Sequence, residues 1–106
     1  MPNPRLASRY AKSLLDLAVE RGELEQVFAD MQFLQRICKE HREFNNLLRS
    51  PIVKPETKKK IVEAVTANKI TELTRSFNSL LISKGRESNL PEIATSFISQ
   101  YKVHKN

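Results

Sequence analysis

The sequence has 106 residues, 40% hydrophobic and 28% charged, and 18 Lys and Arg against 12 Asp and Glu give a net charge of +6. That balance fits one globular domain with a modest core and excludes a disordered chain. A single cysteine excludes an internal disulfide and a Cys-based metal cage. The longest run of large aliphatic residues, Leu80-Leu81-Ile82, is far too short to span a membrane, and the Met-Pro-Asn-Pro-Arg start lacks the apolar stretch of a secretion signal. The expectation is a small, basic, reduced, cytosolic domain.

Glycine and proline punctuate a helical chain. Asn3-Pro4 opens the first helix, with Asn as N-cap and Pro at the first helical position, and Gly22 closes it after Arg21. A second helix is predicted from Glu23 to Glu40, with Leu24, Val27, Phe28, Met31, Leu34, Ile37 and Cys38 at three- and four-residue spacing. A short third helix carries Phe44, Leu47 and Leu48 and stops before Ser50-Pro51. Pro55 starts a fourth, with Ile61, Val62 and Val65 predicted to face inward. The fifth runs from Thr71 to Lys84 and ends at Gly85. The sixth starts near Leu90-Pro91 and carries Ile93, Ala94, Phe97, Ile98 and Tyr101. No segment alternates with period two, and no repeat or low-complexity tract is present. The fold class is therefore all-α: one domain over residues 1–106, a six-helix bundle with short connections.

The first helix has more apolar surface than one neighbour covers. At 100° per residue, Leu6, Leu17, Tyr10, Leu14, Ala7, Ala18, Ala11, Leu15 and Val19 fall along an arc of about 220°, interrupted by Ser8, where one-sided packing needs ~100°. The alanines permit close helix approach, and the bulky Leu6, Tyr10 and Leu17 gather at one edge, beside the polar border. That arrangement suits either burial on several sides or a docking groove. On the fifth helix Ile70, Leu73, Phe77, Leu80 and Leu81 form a narrower stripe, flanked by Ser76 and Ser83. The docking reading requires that Leu6, Tyr10, Leu17 and Leu80 not be sealed inside.

Residues that could carry chemistry are few. The sequence holds no HExxH, CxxC or GxSxG motif, and two glycines cannot build a phosphate-cradling loop. His41 lies in the charged junction Lys39-Glu40-His41-Arg42-Glu43, and His104 is expected in a frayed end. Cys38 falls on the apolar face of the second helix and reads as a buried structural thiol. No catalytic, cofactor-binding or metal-ligating set emerges, and the chain reads as non-catalytic. Lys54, Lys58, Lys59 and Lys60 form the one dense basic cluster. It reads first as a solvated helix face, and a small basic helical nucleic-acid-binding protein is the alternative function.

Three stretches carry a resemblance. They are Ser8-Arg9-Tyr10-Ala11-Lys12-Ser13-Leu14-Leu15-Asp16-Leu17-Ala18; Leu47-Leu48-Arg49-Ser50-Pro51 through Pro55-Glu56-Thr57-Lys58; and Leu80-Leu81-Ile82-Ser83-Lys84-Gly85-Arg86 through Leu90-Pro91-Glu92-Ile93. In this order and spacing, across essentially the whole chain, they resemble the N-terminal domain of the delta subunit of F-type ATP synthases, called OSCP in mitochondria. The resemblance implies a six-helix bundle and a stator role in ATP synthesis and hydrogen ion transport, without cofactor or metal. It implies that the domain caps the catalytic head and receives the N-terminal helix of an alpha subunit between the first and fifth helices. The groove residues would be Leu6, Tyr10, Ser13, Leu14 and Leu17 on the first helix and Leu73, Ser76, Phe77 and Leu80 on the fifth. No nucleic acid and no direct membrane insertion are implied. The location would be peripheral, on the cytoplasmic face of the bacterial inner membrane. The b subunit of the peripheral stalk would be reached only through a C-terminal domain, whose glycine-bearing signature is missing here. On that reading the chain is expected to be a fragment of a longer protein.

Overall fold

The computed structural model describes residues 3–106. Six α-helices follow in order: α1 Pro4–Glu20, α2 Leu24–Glu40, α3 Arg42–Arg49, α4 Pro55–Thr66, α5 Glu72–Ser83 and α6 Leu90–Lys105. Among the described residues there is no strand, and the chain is all-α.

The local signals act as the residue types require. The Asn3 side chain accepts a hydrogen bond from Leu6 N at 3.1 Å, and Pro4 occupies the first turn of α1. α1 and α5 end alike. Gly22 and Gly85 take φ of +68° and +71°, which glycine adopts without a Cβ clash. The next amide reaches back over each glycine, Glu23 N to Ala18 O at 2.8 Å and Arg86 N to Leu81 O at 2.7 Å. Both are Schellman endings, satisfying carbonyls that the last turn leaves free.

α6 is the centre of the molecule. Its Ile93, Ala94 and Phe97 are fully buried, and it packs against both α1 and α2. α1 turns Ala7, Ala11 and Ala18 into the same core. Two polar ties fix this pairing: Asn3 N donates to Glu92 Oε2 at 3.1 Å, and Gln100 Nε2 donates to Ser8 O at 3.1 Å. At the far end of α6, the Tyr101 ring stacks on Phe28 with centroids 3.7 Å apart. The Tyr101 hydroxyl donates to Glu25 Oε1 at 2.6 Å, and Lys105 pairs with Glu25 Oε2 at 3.1 Å. The hydroxyl first, and then the ammonium, hold the Glu25 carboxyl below the usual carboxylate range.

A 3₁₀ turn, Glu87–Asn89, precedes α6. Three expectations need correction. Lys58 is not part of a solvated face: it is 4% exposed, on the same stripe of α4 as buried Val62 and Thr66. Its Nζ donates to Leu48 O at 3.1 Å, at the C-terminal turn of α3, and to Glu87 Oε2 at 2.5 Å. A cation at a helix C-terminus with a carboxylate partner is thereby paired on both sides. Ile61, expected inside, is 37% exposed, because that Lys58–Val62–Thr66 stripe takes the inner face instead. His104 lies within α6, which stays helical through Lys105, and not in a frayed end.

Candidate functional site

The apolar arc of α1 is buried in a graded way. Ala7, Ala11, Leu14, Leu15 and Ala18 are buried, whereas Leu6, Tyr10 and Leu17 are half-buried. Val19, at the opposite edge, is 43% exposed. The excess apolar surface of α1 is therefore not consumed by the chain's own core, and its Tyr10–Leu17 edge opens onto α5.

α1 packs chiefly on α6 and α5 chiefly on α4. Between α1 and α5 lies a trough of about 350 Å³, lined by Tyr10, Ser13, Leu14, Leu17 and Arg21 from α1 and its cap, and by Leu73, Ser76, Phe77 and Leu80 from α5. Leu14, Leu73 and Phe77 are buried, and Leu80 stands 44% exposed. Tyr10 meets Phe77 edge to face with ring centroids 6.4 Å apart, a favourable quadrupolar arrangement that joins the two walls. Ser13 and Ser76 are exposed, small side chains that leave room for an incoming backbone. The structure thus brings eight of the nine sequence-derived groove residues together. Leu6 is outside this lining.

Residues that sequence reasoning passed over also shape the site. Arg21, the C-cap of α1, is the one charged lining residue. Asp30 of α2 is buried and locates the N-terminus of α5: its Oδ2 accepts from Thr71 N at 2.9 Å, Thr71 Oγ1 at 2.7 Å and Thr74 Oγ1 at 2.7 Å. A carboxylate there also meets the positive end of the helix dipole. The sequence held a signal for it: at 100° per residue Asp30 falls between Ile37 and Leu34, inside the apolar stripe of α2. A charge within such a stripe demands a partner.

A second apolar depression, about 560 Å³, lies between α2, α3 and α4, with Phe33, Ile37, Phe44, Leu47, Ile61 and Val65 in its wall. It is larger than the α1–α5 trough, and Lys69 lies over the Phe33 ring at its edge, 5.7 Å from the centroid. Size alone does not select between the two. Cys38 is buried, and burial pushes its thiol up to about 12, which keeps it protonated and inert. No helix is long and apolar enough to cross a membrane among the described residues.

The family model described as ATP synthase delta (OSCP) subunit matches residues 6–106. The chain belongs to the ATP synthase delta (OSCP) family. An ATP synthase subunit delta from Cytophaga hutchinsonii is 40% identical over 102 residues, covering 96% of this chain and 56% of that protein. One from Amoebophilus asiaticus is 38% identical over 103 residues, covering 97% and 56%. A chloroplastic ATP synthase subunit delta from Porphyra purpurea is 33% identical over 94 residues, covering 89% and 50%. The chain spans about half the length of these delta-family relatives.

Proposed function

We propose that this chain is a non-catalytic stator component of the F-type proton-translocating ATP synthase, and that it receives the N-terminal helix of an alpha subunit in the trough between α1 and α5. Family membership supports the stator role. The observation that carries the finer reading is the half-open apolar trough itself, with Leu80 44% exposed over a floor of Tyr10, Leu14 and Phe77. An exposed leucine beside a pair of touching aromatic rings is ready-made for the apolar face of a partner helix.

The mechanical reasoning is simple. Rotation of a central shaft drags on the catalytic head, and a stator must hold the head still. A helix burying on the order of 500 Å² of apolar surface gains roughly 12 kcal/mol gross. Association costs about 4–15 kcal/mol, so a joint that does not slip needs walls already in place. Here α1 is packed on α6 and the N-terminus of α5 is tied to Asp30, so both walls stand without a ligand. The net charge of +6 adds attraction to an acidic partner, screened beyond ~8 Å at physiological salt.

On this reading residues 1–106 form the head-facing domain, and contact with the b subunit of the peripheral stalk belongs to the part of the longer relatives that this chain does not match. The location is peripheral, on the cytoplasmic face of the bacterial inner membrane. The nucleic-acid alternative is weakened by Lys58, whose burial removes the centre of the one basic cluster.

The test is calorimetric titration with a synthetic peptide from the N-terminus of an ATP synthase alpha subunit. Tyr10→Asp and Leu80→Asp should each weaken binding at least tenfold, about 1.4 kcal/mol, with an unchanged circular dichroism spectrum. Normal binding by both folded variants would place the partner elsewhere.

A further inference from the structure

The face of α5 opposite the trough holds a polar residue that the chain leaves unsatisfied. Asn78 lies about 150° around the helix axis from the trough centre. It is 5% exposed, and neither its Oδ1 nor its Nδ2 has a hydrogen-bond partner within the described residues. Two cavities meet at this side chain. One, about 60 Å³, runs between α4 and α5 and is lined by Lys59, Glu63, Thr66, Arg75 and Ser79 among others. The other, about 10 Å³, runs toward the 3₁₀ turn and is lined by Leu48, Leu81, Leu90 and Glu87. Each cavity holds a second orphan: the Nε of Arg75 in the first and the Oε1 of Glu87 in the second are buried without partners.

Buried polar groups left unpaired are rare because they are costly, so three in a row call for a ligand. Its chemistry follows from the atoms. Arg75 Nε and Asn78 Nδ2 donate, while Asn78 Oδ1 and Glu87 Oε1 accept. A small oxyanion would satisfy the donors and meet two oxygens and the Glu63 carboxylate. Water satisfies both kinds. The smaller cavity matches one water molecule, and the larger has room for more.

We propose that a short chain of ordered waters threads the α4–α5 seam from Arg75 past Asn78 to Glu87. The Lys58–Glu87 ion pair is then linked to α5 through water, and the outer wall of the trough rests on a hydrated joint. This inference stands independently of the stator reading.

Water–protein cross-relaxation in the ¹⁵N-labelled chain tests it directly. The Asn78 side-chain amide and the Arg75 Nε–H should show the negative Overhauser effects of water held for longer than nanoseconds; their absence would overturn the proposal. Asn78→Leu, which keeps the branched shape and removes both polar atoms, should lower the thermal unfolding midpoint by several degrees. An unchanged or higher midpoint would mean a dry seam. Inorganic phosphate should leave both resonances in place, and a saturable shift of the two together would replace water with a bound anion.

Discussion

Of the two helices that wall the trough, α1 is backed by the alanine-lined core it shares with α6, whereas α5 is located at its N-terminus by the Asp30 carboxylate and rests on α4 across a seam that buries Asn78. The first wall is held by area. Ala7, Ala11 and Ala18 let the backbones approach, and Ile93, Ala94 and Phe97 fill what lies behind. The second is held by direction, through three hydrogen bonds to one carboxylate oxygen. Apolar packing tolerates small adjustments and fails with lost volume; directional bonds place a helix end closely and fail one atom at a time.

The two modes of support are separable by mutation. Phe97→Ala removes the largest fully buried side chain behind α1 and should cost about 3–5 kcal/mol by urea unfolding. Its effect reaches beyond α1, because α6 also packs on α2. Asp30→Ala should cost about 2–3 kcal/mol, since it strands the Thr71 and Thr74 hydroxyls as well as removing their acceptor. Its signature is local. Hydrogen exchange should accelerate in the first turn of α5 while amides of α1 keep their protection. If both helices open together, the walls are not independently held.

Two pH effects sharpen the same contrast. Cys38 sits in the apolar core with its thiol raised from 9.0 to about 12. The folded state therefore holds this proton more tightly than the unfolded state. Its contribution is whole below pH 9 and is lost as pH rises toward 12. Unfolding across that window should show reduced alkaline destabilisation in Cys38→Ala, and a thiol reagent at pH 8 should react with the native protein only through opening. The Tyr101–Glu25–Lys105 clasp works in the other direction. The lowered Glu25 pKa gives a contribution present above the unfolded carboxylate value and lost as pH falls through the folded one. Tyr101→Phe should flatten that acid limb. The effect is the smallest here, because the carboxylate is exposed to solvent.

The helices were legible because their ends carry strong chemistry: Asn3-Pro4, Gly22, Pro55, Gly85 and Pro91 each impose a backbone state that neighbours do not override. The site was legible for a related reason. An apolar arc wider than one neighbour covers marks α1 from its sequence, and the leucine and phenylalanine stripe of α5 supplies the facing wall. The parts that sequence missed depend on partners far along the chain. Lys58 looks solvated until Leu48 and Glu87, ten and twenty-nine residues away, reach its ammonium. Ile61 appears internal until Lys58, Val62 and Thr66 claim the inner face. Asp30 reads as an interruption until Thr71 and Thr74 arrive from forty-one and forty-four residues on. Periodicity reports how a helix divides its own surface; it carries no information on which distant groups satisfy a buried charge.

The most direct measurement follows backbone amide shifts of the ¹⁵N-labelled chain during titration with the alpha-subunit peptide. Perturbations should gather on Tyr10, Ser13, Leu14 and Leu17 of α1 and on Leu73, Ser76, Phe77 and Leu80 of α5. A saturable response centred instead on Phe33, Leu47, Ile61 and Val65, across the larger α2–α3–α4 depression, would contradict the docking of that helix between α1 and α5.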